Sequence, residues 1–405
     1  MANGEILFKD VRIVDENKDF SGDLYIKNGR IADFGKELEY SCPVKRFDYE
    51  AVLMPSFIDL HSHFRDPGYT WKEDIVSGSK AAVKGGYTTV NLMANTSPVC
   101  SSEEIVDAVI QKAESAGLIN CYQTVSVTRD FDGRDLSHLD TLNPERVRFL
   151  SDDGNGVEDT EVMEKAMIKA KAKGLIISSH AEYREISNKD PRASENLMTE
   201  RDIALCRKTG CRLHMAHVST KEALIMIQKA KAAKIPVTCE VTPHHLILSD
   251  SVDYAVHPPL RTQADISALR AGLADGTIDA IATDHAPHAK EDKEKGARGM
   301  SGIEIAFQIC YTDLVKGGII SLSRLSGLMS KNPGEILGIE SGTIEKNQNA
   351  DIVIIDLDKQ MTIDSNNFYS KGKNTPFDGK TVYGTIKEVY RNGKLMTTGD
   401  DENDN

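Results

Sequence analysis

Between residues 53 and 283 the chain repeats one pattern: a short apolar run, then a polar stretch with helical periodicity, then another apolar run. The runs, rich in β-branched residues, lie near 53–59, 87–92, 119–127, 147–150, 174–179, 211–217, 235–241 and 277–283. Helical patterns separate most of them: Glu73–Lys84, Ser102–Ala116, Glu158–Lys173, Glu195–Lys208, Lys221–Ala233 and Gln263–Asp275. Continuous apolar runs mark strands buried on both faces, and parallel strands need a crossover between them. Eight such strands predict an α/β fold, a (β/α)8 barrel of the TIM type. A doubly wound open sheet is the competing architecture, but it would not need all eight strand ends to converge.

The flanks read differently. Residues 4–50 hold short alternating strands, Ile6–Val14, Asp23–Ile26 and Arg30–Phe34, and residues 342–396 resume that style. There the strands are Asp351–Asp356 and Glu388–Leu395, with Asn392-Gly393 as a hairpin signal. The expected organisation is a small β-sandwich built from both termini, 1–52 plus 343–400, interrupted by the barrel over 53–342. The acidic tail 401–405 is expected to be disordered.

A formal charge of -13 over 405 residues argues against nonspecific binding to nucleic acid or an anionic membrane. No apolar stretch has the length of a membrane span, and Met1–Glu5 lacks the charged-then-apolar order of a signal peptide. The seven cysteines, at 42, 100, 121, 206, 211, 239 and 310, are scattered, odd in number and free of C-x-x-C pairs. A reducing cytoplasm with free thiols is expected.

Barrel enzymes place their chemistry at the C-terminal strand ends. Here those ends carry His61 and His63, Asn95, Asp152 and Asp153, His180, His214 and His217, His244 and His245, then Asp284, His285 and His288. His61 and His63 are two apart in an extended run and so leave it on one side, as paired metal ligands must. Each histidine alone is more often structural. Their joint placement in one barrel points to a metal site, and nitrogen and oxygen donors suit zinc or manganese, with a carboxylate able to bridge two ions.

Longer motifs narrow this further. They are His61–Gly68, Lys72–Ile75, Gly85–Val90, Ala94–Val99, Ser151–Gly154, His217–Thr220, Glu240–His245, Pro258–Arg261, Ile281–His288 and Asn374–Gly379. On these residues, which span nearly the whole chain, it resembles the dihydroorotases of the amidohydrolase superfamily, bacterial class I type. The resemblance implies reversible hydrolysis of the cyclic amide of dihydroorotate to N-carbamoyl-aspartate in pyrimidine synthesis. It implies two zinc ions per subunit: one held by His61, His63 and Asp284, one by His180 and His217, with Asp153 bridging. Many relatives have a carboxylated lysine at the position of Asp153. Water activated between the two ions would attack, Asp284 acting as general base and then acid. Arg65, Asn95, His257 and His288 would hold the substrate, Arg65 by gripping its carboxylate. A homodimer is implied, and association with aspartate transcarbamoylase is possible.

Asp152 is the neighbour that could be exchanged with Asp153, and His214 is rejected because it should face away from His217. His244, His245 and His285 are expected to be structural. Two departures from the family stand out. His257 replaces an asparagine; an imidazole is expected to donate there but not to donate and accept in one orientation as an amide does. Arg298 replaces an apolar phenylalanine in the loop Ala289–Arg298, which is expected to act as a lid. Two rival functions stay open: a hydantoinase or allantoinase, and a non-catalytic scaffold subunit of the transcarbamoylase.

Overall fold

The computed structural model describes residues 4–398, so the expectation for the acidic tail lies outside the described residues. The N-terminal segment forms β1 (Glu5–Val14), β2 (Asp19–Lys27), β3 (Arg30–Gly35), β4 (Val44–Arg46) and β5 (Val52–Pro55). The central segment carries β6 (Phe57–Ser62), β7 (Tyr87–Leu92), β8 (Asn120–Gln123) and β9 (Phe149–Leu150). It continues with β10 (Ile176–Ser179), β11 (Arg212–Met215), β12 (Val237–Val241) and β13 (Ala280–Ile281). The C-terminal segment adds β14 (Ile352–Thr362), β15 (Thr381–Arg391) and β16 (Lys394–Leu395).

The two terminal segments share one sheet, in the order β16-β15-β14-β5-β1-β2-β3, with β4 beside β1. Asn392 and Gly393, both at positive φ, make the turn between β15 and β16, as the Asn-Gly signal predicts. Side chains alternate across this sheet. Leu53 and Ile354 face a cluster with Phe8, Ile13, Leu24 and Ile31. Their neighbours Val52, Met54, Val353 and Ile355 belong to the core shared with the barrel. The expected single strand near 53–59 is therefore two. Pro55 ends β5, which pairs with β1 and β14, and Phe57 begins β6, which pairs with β7. Ser56 makes the passage, its N–H donating to Asp351 O (3.0 Å) and its hydroxyl bonded to Thr88 Oγ1 (2.5 Å). Both halves are apolar and buried, so periodicity gave no sign of the break.

The central strands are all parallel, in the orders β6-β7-β8 and β9-β10-β11-β12-β13. Parallel bridges Val125↔Leu150 and Ser62↔His285 join the two sheets at both edges, closing a ring of eight. Asp59 on β6 locks the second seam by accepting the N–H (2.9 Å) and hydroxyl (2.5 Å) of Thr283. Helices Ile75–Lys84, Glu103–Ala116, Thr160–Ala172, Pro191–Thr209, Lys221–Ala232 and Gln263–Asp275 follow the predicted segments within a few residues. Sequence-coded caps set their starts. Asp159 accepts from the N–H groups of Glu161 and Val162, so Asp159→Ala is expected to lower stability by about 1 kcal/mol, read as a shifted urea midpoint with unchanged slope.

No helix among the described residues is long and apolar enough to cross a membrane. All seven cysteines are free, and burial pushes the thiols of Cys100, Cys121 and Cys239 up to about 12.

Candidate metal centre

Strand ends bring the predicted residues together. The rings of His61 and His63 stand 5.2 Å apart, and His217 lies 5.1 Å from His61 and 4.7 Å from His180. Asp153 is in their midst: its Oδ1 is 3.3 Å from His61 Nε2, 3.2 Å from His180 Nδ1 and 3.5 Å from His217 Nε2. Asp284 Oδ1 lies 3.1 Å from His63 Nε2 and 3.7 Å from His61 Nε2. His61, His63 and Asp284 thus form one group able to hold a cation, and His61, Asp153 and His217 a second. A third, His180 with Glu182 and His257, was not foreseen.

Buried polar atoms test whether a cation fits. His61 Nε2 and Asp153 Oδ1 are buried without a hydrogen-bond partner among the described residues. Ligands held about 2.0 Å from a tetrahedral zinc stand about 3.3 Å from one another, which is the spacing around Asp153 Oδ1. His63 offers a second test. Its Nδ1 faces the Asn95 carbonyl oxygen (2.8 Å) and its Nε2 faces the Asp284 carboxylate. A neutral imidazole has one N–H for these two acceptors, and burial, reinforced by Arg65, disfavours the charged ring. A cation between Nε2 and Asp284 removes the conflict. The residues fit a metal.

Electrostatics agree. Burial works against charge on Asp153, but the imidazoles of His61, His180 and His217 outweigh it and hold the carboxyl well below its usual range. Asp284 is held low in the same way, burial being outweighed by His63 and His61.

Beneath these atoms lies a layer that sequence reasoning missed. Glu240 on β12, 1% exposed, accepts from His61 Nδ1 (2.9 Å) and from His214 Nε2 (3.0 Å). A carboxylate behind a metal-facing histidine fixes which ring nitrogen keeps its proton. His214, rejected as a metal ligand, lies in none of the candidate metal groups among the described residues; it supports Glu240, with its Nδ1 on Thr238 Oγ1 (2.8 Å). The strand ends at Met215, so the alternation argument does not reach His217. Asp152, by contrast, accepts from Val127 N (2.7 Å) and Thr128 Oγ1 (2.5 Å) and is spent on the backbone. A charged residue inside an apolar run is the signal that could have found both Glu240 and Asp59. His245 bonds Thr242 and the Pro258 carbonyl, and His285 bonds Glu73.

The remaining candidates line a cavity of about 410 Å³ above the cluster. Arg65 enters it from a loop pinned at Gly68, where a Cβ would come within 2.1 Å of Ser97 O. Its Nε is buried without a hydrogen-bond partner among the described residues. Asn95 uses both ends of its amide inside the cluster, accepting from His63 and donating to Asp153 Oδ2 (3.1 Å). His288 donates from Nε2 to Arg298 O (2.9 Å), leaving Nδ1 without a partner among the described residues. Burial and then Arg65 push its imidazole down to about 4. His257 accepts on one edge of its ring and donates on the other, not on one side as an amide does. Arg298 Nη1 donates to its Nδ1 (3.2 Å), and its Nε2 faces Glu182 Oε1 (3.1 Å). A neutral imidazole carries one donor and one acceptor on opposite ring edges, so it spans two partners where an amide would meet both on one side.

A ring of parallel strands with histidines and carboxylates at one end is the architecture of metal-assisted hydrolases on barrel scaffolds, and the similarities agree. Residues 52–396 match the amidohydrolase family. A dihydroorotase of Clostridium botulinum is 48% identical, covering 96% of this chain and 99% of that protein. A dihydroorotase of Acetivibrio thermocellus is 35% identical, over 96% and 98%. In fold, the chain is similar to the crystal structure of dihydropyrimidinase from Brevibacillus agri, with a TM-score of 0.87 at 24% identity, over 96% and 94% of the two chains. The chain belongs to the amidohydrolase family, on its dihydroorotase branch.

Proposed function

We propose that this chain is a zinc-dependent dihydroorotase, opening dihydroorotate to N-carbamoyl-aspartate and closing it again for pyrimidine synthesis. One observation carries the reading. An arginine whose Nε lacks a hydrogen-bond partner among the described residues, Arg65, lines the same cavity as His63, Asp153, His180, His217 and Asp284. A hydantoin ring carries no carboxylate for that guanidinium, which favours dihydroorotate over the hydantoinase reading. The filled donor set favours an enzyme over a scaffold subunit.

In this reading His61, His63 and Asp284 would hold one zinc and His180 and His217 the other, with Asp153 as a ligand shared by the two sites. When bound, zinc supplies a Lewis acid that polarises the amide carbonyl and lowers the pKa of water. The chain's own residues do the rest. Arg65 pairs with the substrate carboxylate, and Asn95, His257 and His288 complete the wall that orients the ring. As water adds to the ring carbonyl carbon, Asp284 takes its proton. The carbon–nitrogen bond breaks and Asp284 returns that proton to the departing ring nitrogen. In reverse, the same carboxylate assists ring closure.

The division into a terminal β-sandwich, 1–52 with 343–400, and a (β/α)8 barrel, 53–342, belongs to the same proposal, supported by the separate apolar cluster of the terminal sheet. A cytoplasmic homodimer, able to associate with aspartate transcarbamoylase, belongs to the same proposal, and the free buried thiols suit a reducing compartment.

The test is loss of ultraviolet absorbance on incubating the purified, zinc-loaded protein with L-dihydroorotate. Turnover is expected from the protein alone. Arg65→Ala is expected to reduce kcat/KM by roughly 10- to 100-fold, as loss of a charged hydrogen-bond pair does. Turnover of hydantoin or dihydrouracil but not of dihydroorotate would sink the assignment.

A further inference from the structure

The two departures from the family, His257 and Arg298, touch each other. Arg298 lies in the loop beyond the short helix Lys290–Glu294, and His257 lies before Pro258 on the facing loop. A guanidinium donates and never accepts, so the nitrogen that meets Arg298 Nη1, His257 Nδ1, must present its lone pair. The proton of His257 is then on Nε2, which faces Glu182 Oε1 at 3.1 Å. The other oxygen of that carboxylate, Oε2, is 3.2 Å from His180 Nε2. A carboxylate accepts, so His180 keeps its proton on Nε2 and turns its Nδ1 lone pair toward Asp153 (3.2 Å) and His217 Nε2 (2.9 Å). Glu182 accepts from both sides, so it alone sets the His180 proton, while His257 and Ser187 hold its Oε1 and fix where the carboxylate stands. The rings of His257 and His180 also stack, with centroids 5.1 Å apart and planes at 27°.

The loop that carries Arg298 is docked by contacts of its own. Lys293 Nζ donates to the carbonyls of Ala255 (3.1 Å), Ala297 (2.8 Å) and Gly299 (2.9 Å), and sits 4.3 Å above the ring of Tyr254. Lys72 pairs with Asp292 at 3.3 Å.

We propose that Arg298 is a positioning residue: through His257 and Glu182 it fixes the orientation of His180, so that docking of the 289–299 loop and retention of metal at His180 are coupled. The asparagine and phenylalanine usual in the family could not form this series with each other, since phenylalanine has no donor to offer. The proposal rests on the assignment of His180 as a metal ligand.

The test is the rate at which the zinc-loaded protein yields metal to a chromogenic chelator. Removing a direct partner of a metal-bound histidine costs roughly 10- to 100-fold in metal affinity. Two steps further out, Arg298→Ala is expected to speed zinc release roughly 3- to 10-fold, with its melting temperature unchanged because the side chain is exposed. His257→Phe, which keeps the stack and removes both polar ends, is expected to match it. The double variant should release zinc no faster than the worse single one, and His257→Asn, an amide that can accept and donate, should restore near-wild-type release. Release unchanged in Arg298→Ala, or effects that multiply in the double variant, overturns the relay while leaving the metal site intact. Failure of the wild-type protein to retain zinc overturns the ligand assignment and the relay together.

Discussion

Asp284→Asn will leave a folded protein with almost no turnover. Loss of a general acid–base group costs roughly 100- to 10,000-fold, and under the proposed assignment this substitution would also weaken a metal ligand, so the upper part of that range is expected. The reason is local. Asp284 sits beyond β13 at a φ of 45°, with Oδ1 directed at His63 Nε2. Its carboxyl is held low despite burial, because His63 and His61 favour the ionised form, so it stands ready to take a proton. An amide of the same shape cannot. Steady-state rates with dihydroorotate, measured beside a melting curve, check this; a variant within tenfold of wild type would remove Asp284 from the proton path.

The second large effect lies a layer below. Glu240→Ala strips the acceptor from two buried imidazoles at once, those of His61 and His214. Burial alone would raise the Glu240 carboxyl, but His214 and His61 outweigh it and bring it down to about 2, the mark of a paired carboxylate. Breaking such a buried group costs about 3–5 kcal/mol, and loss of the partner behind a metal-facing histidine weakens metal binding by roughly 10- to 100-fold. Urea unfolding and chelator competition read the two effects separately. Glu240→Gln keeps one acceptor and is expected to fall between. Unchanged metal retention in the alanine variant would show that His61 is oriented by packing alone.

The site was legible where the chemistry depends on residue type at strand ends. His61 with His63, Asp153, His180, His217 and Asp284 stand at the ends of five different strands, each after an apolar run, and that placement is what a barrel turns into convergence. Asp153 rather than Asp152 is the residue among the imidazoles. Less legible were positions whose role comes from contacts across the ring. Glu240 and Asp59 lie inside apolar runs, and only the closed ring shows that they face His61 and Thr283. His214 lies outside the candidate metal groups among the described residues, although alternation alone could not settle it, since the strand stops at Met215. The pairing of His257 with Arg298 joins residues 41 apart in two loops, and loops carry no periodicity from which a contact can be read. Strand lengths were overestimated for a related reason: β9 and β13 are two residues each, since the apolar runs continue into bridges and turns.

The strand β5 has an implication for how the enzyme is made. It is a single residue away from β6, whose end carries His61, and its four-residue register is with β14, near the far end of the chain. On the ribosome, the segment with the first metal histidines emerges early, while the partner that holds its leading edge is not yet synthesised. Until then β5 rests on its short contact with β1, and the adjoining His61 strand pairs with β7. Every residue lining the pocket precedes β14 in the chain, so the pocket's side chains emerge before the strand that braces β5 is made.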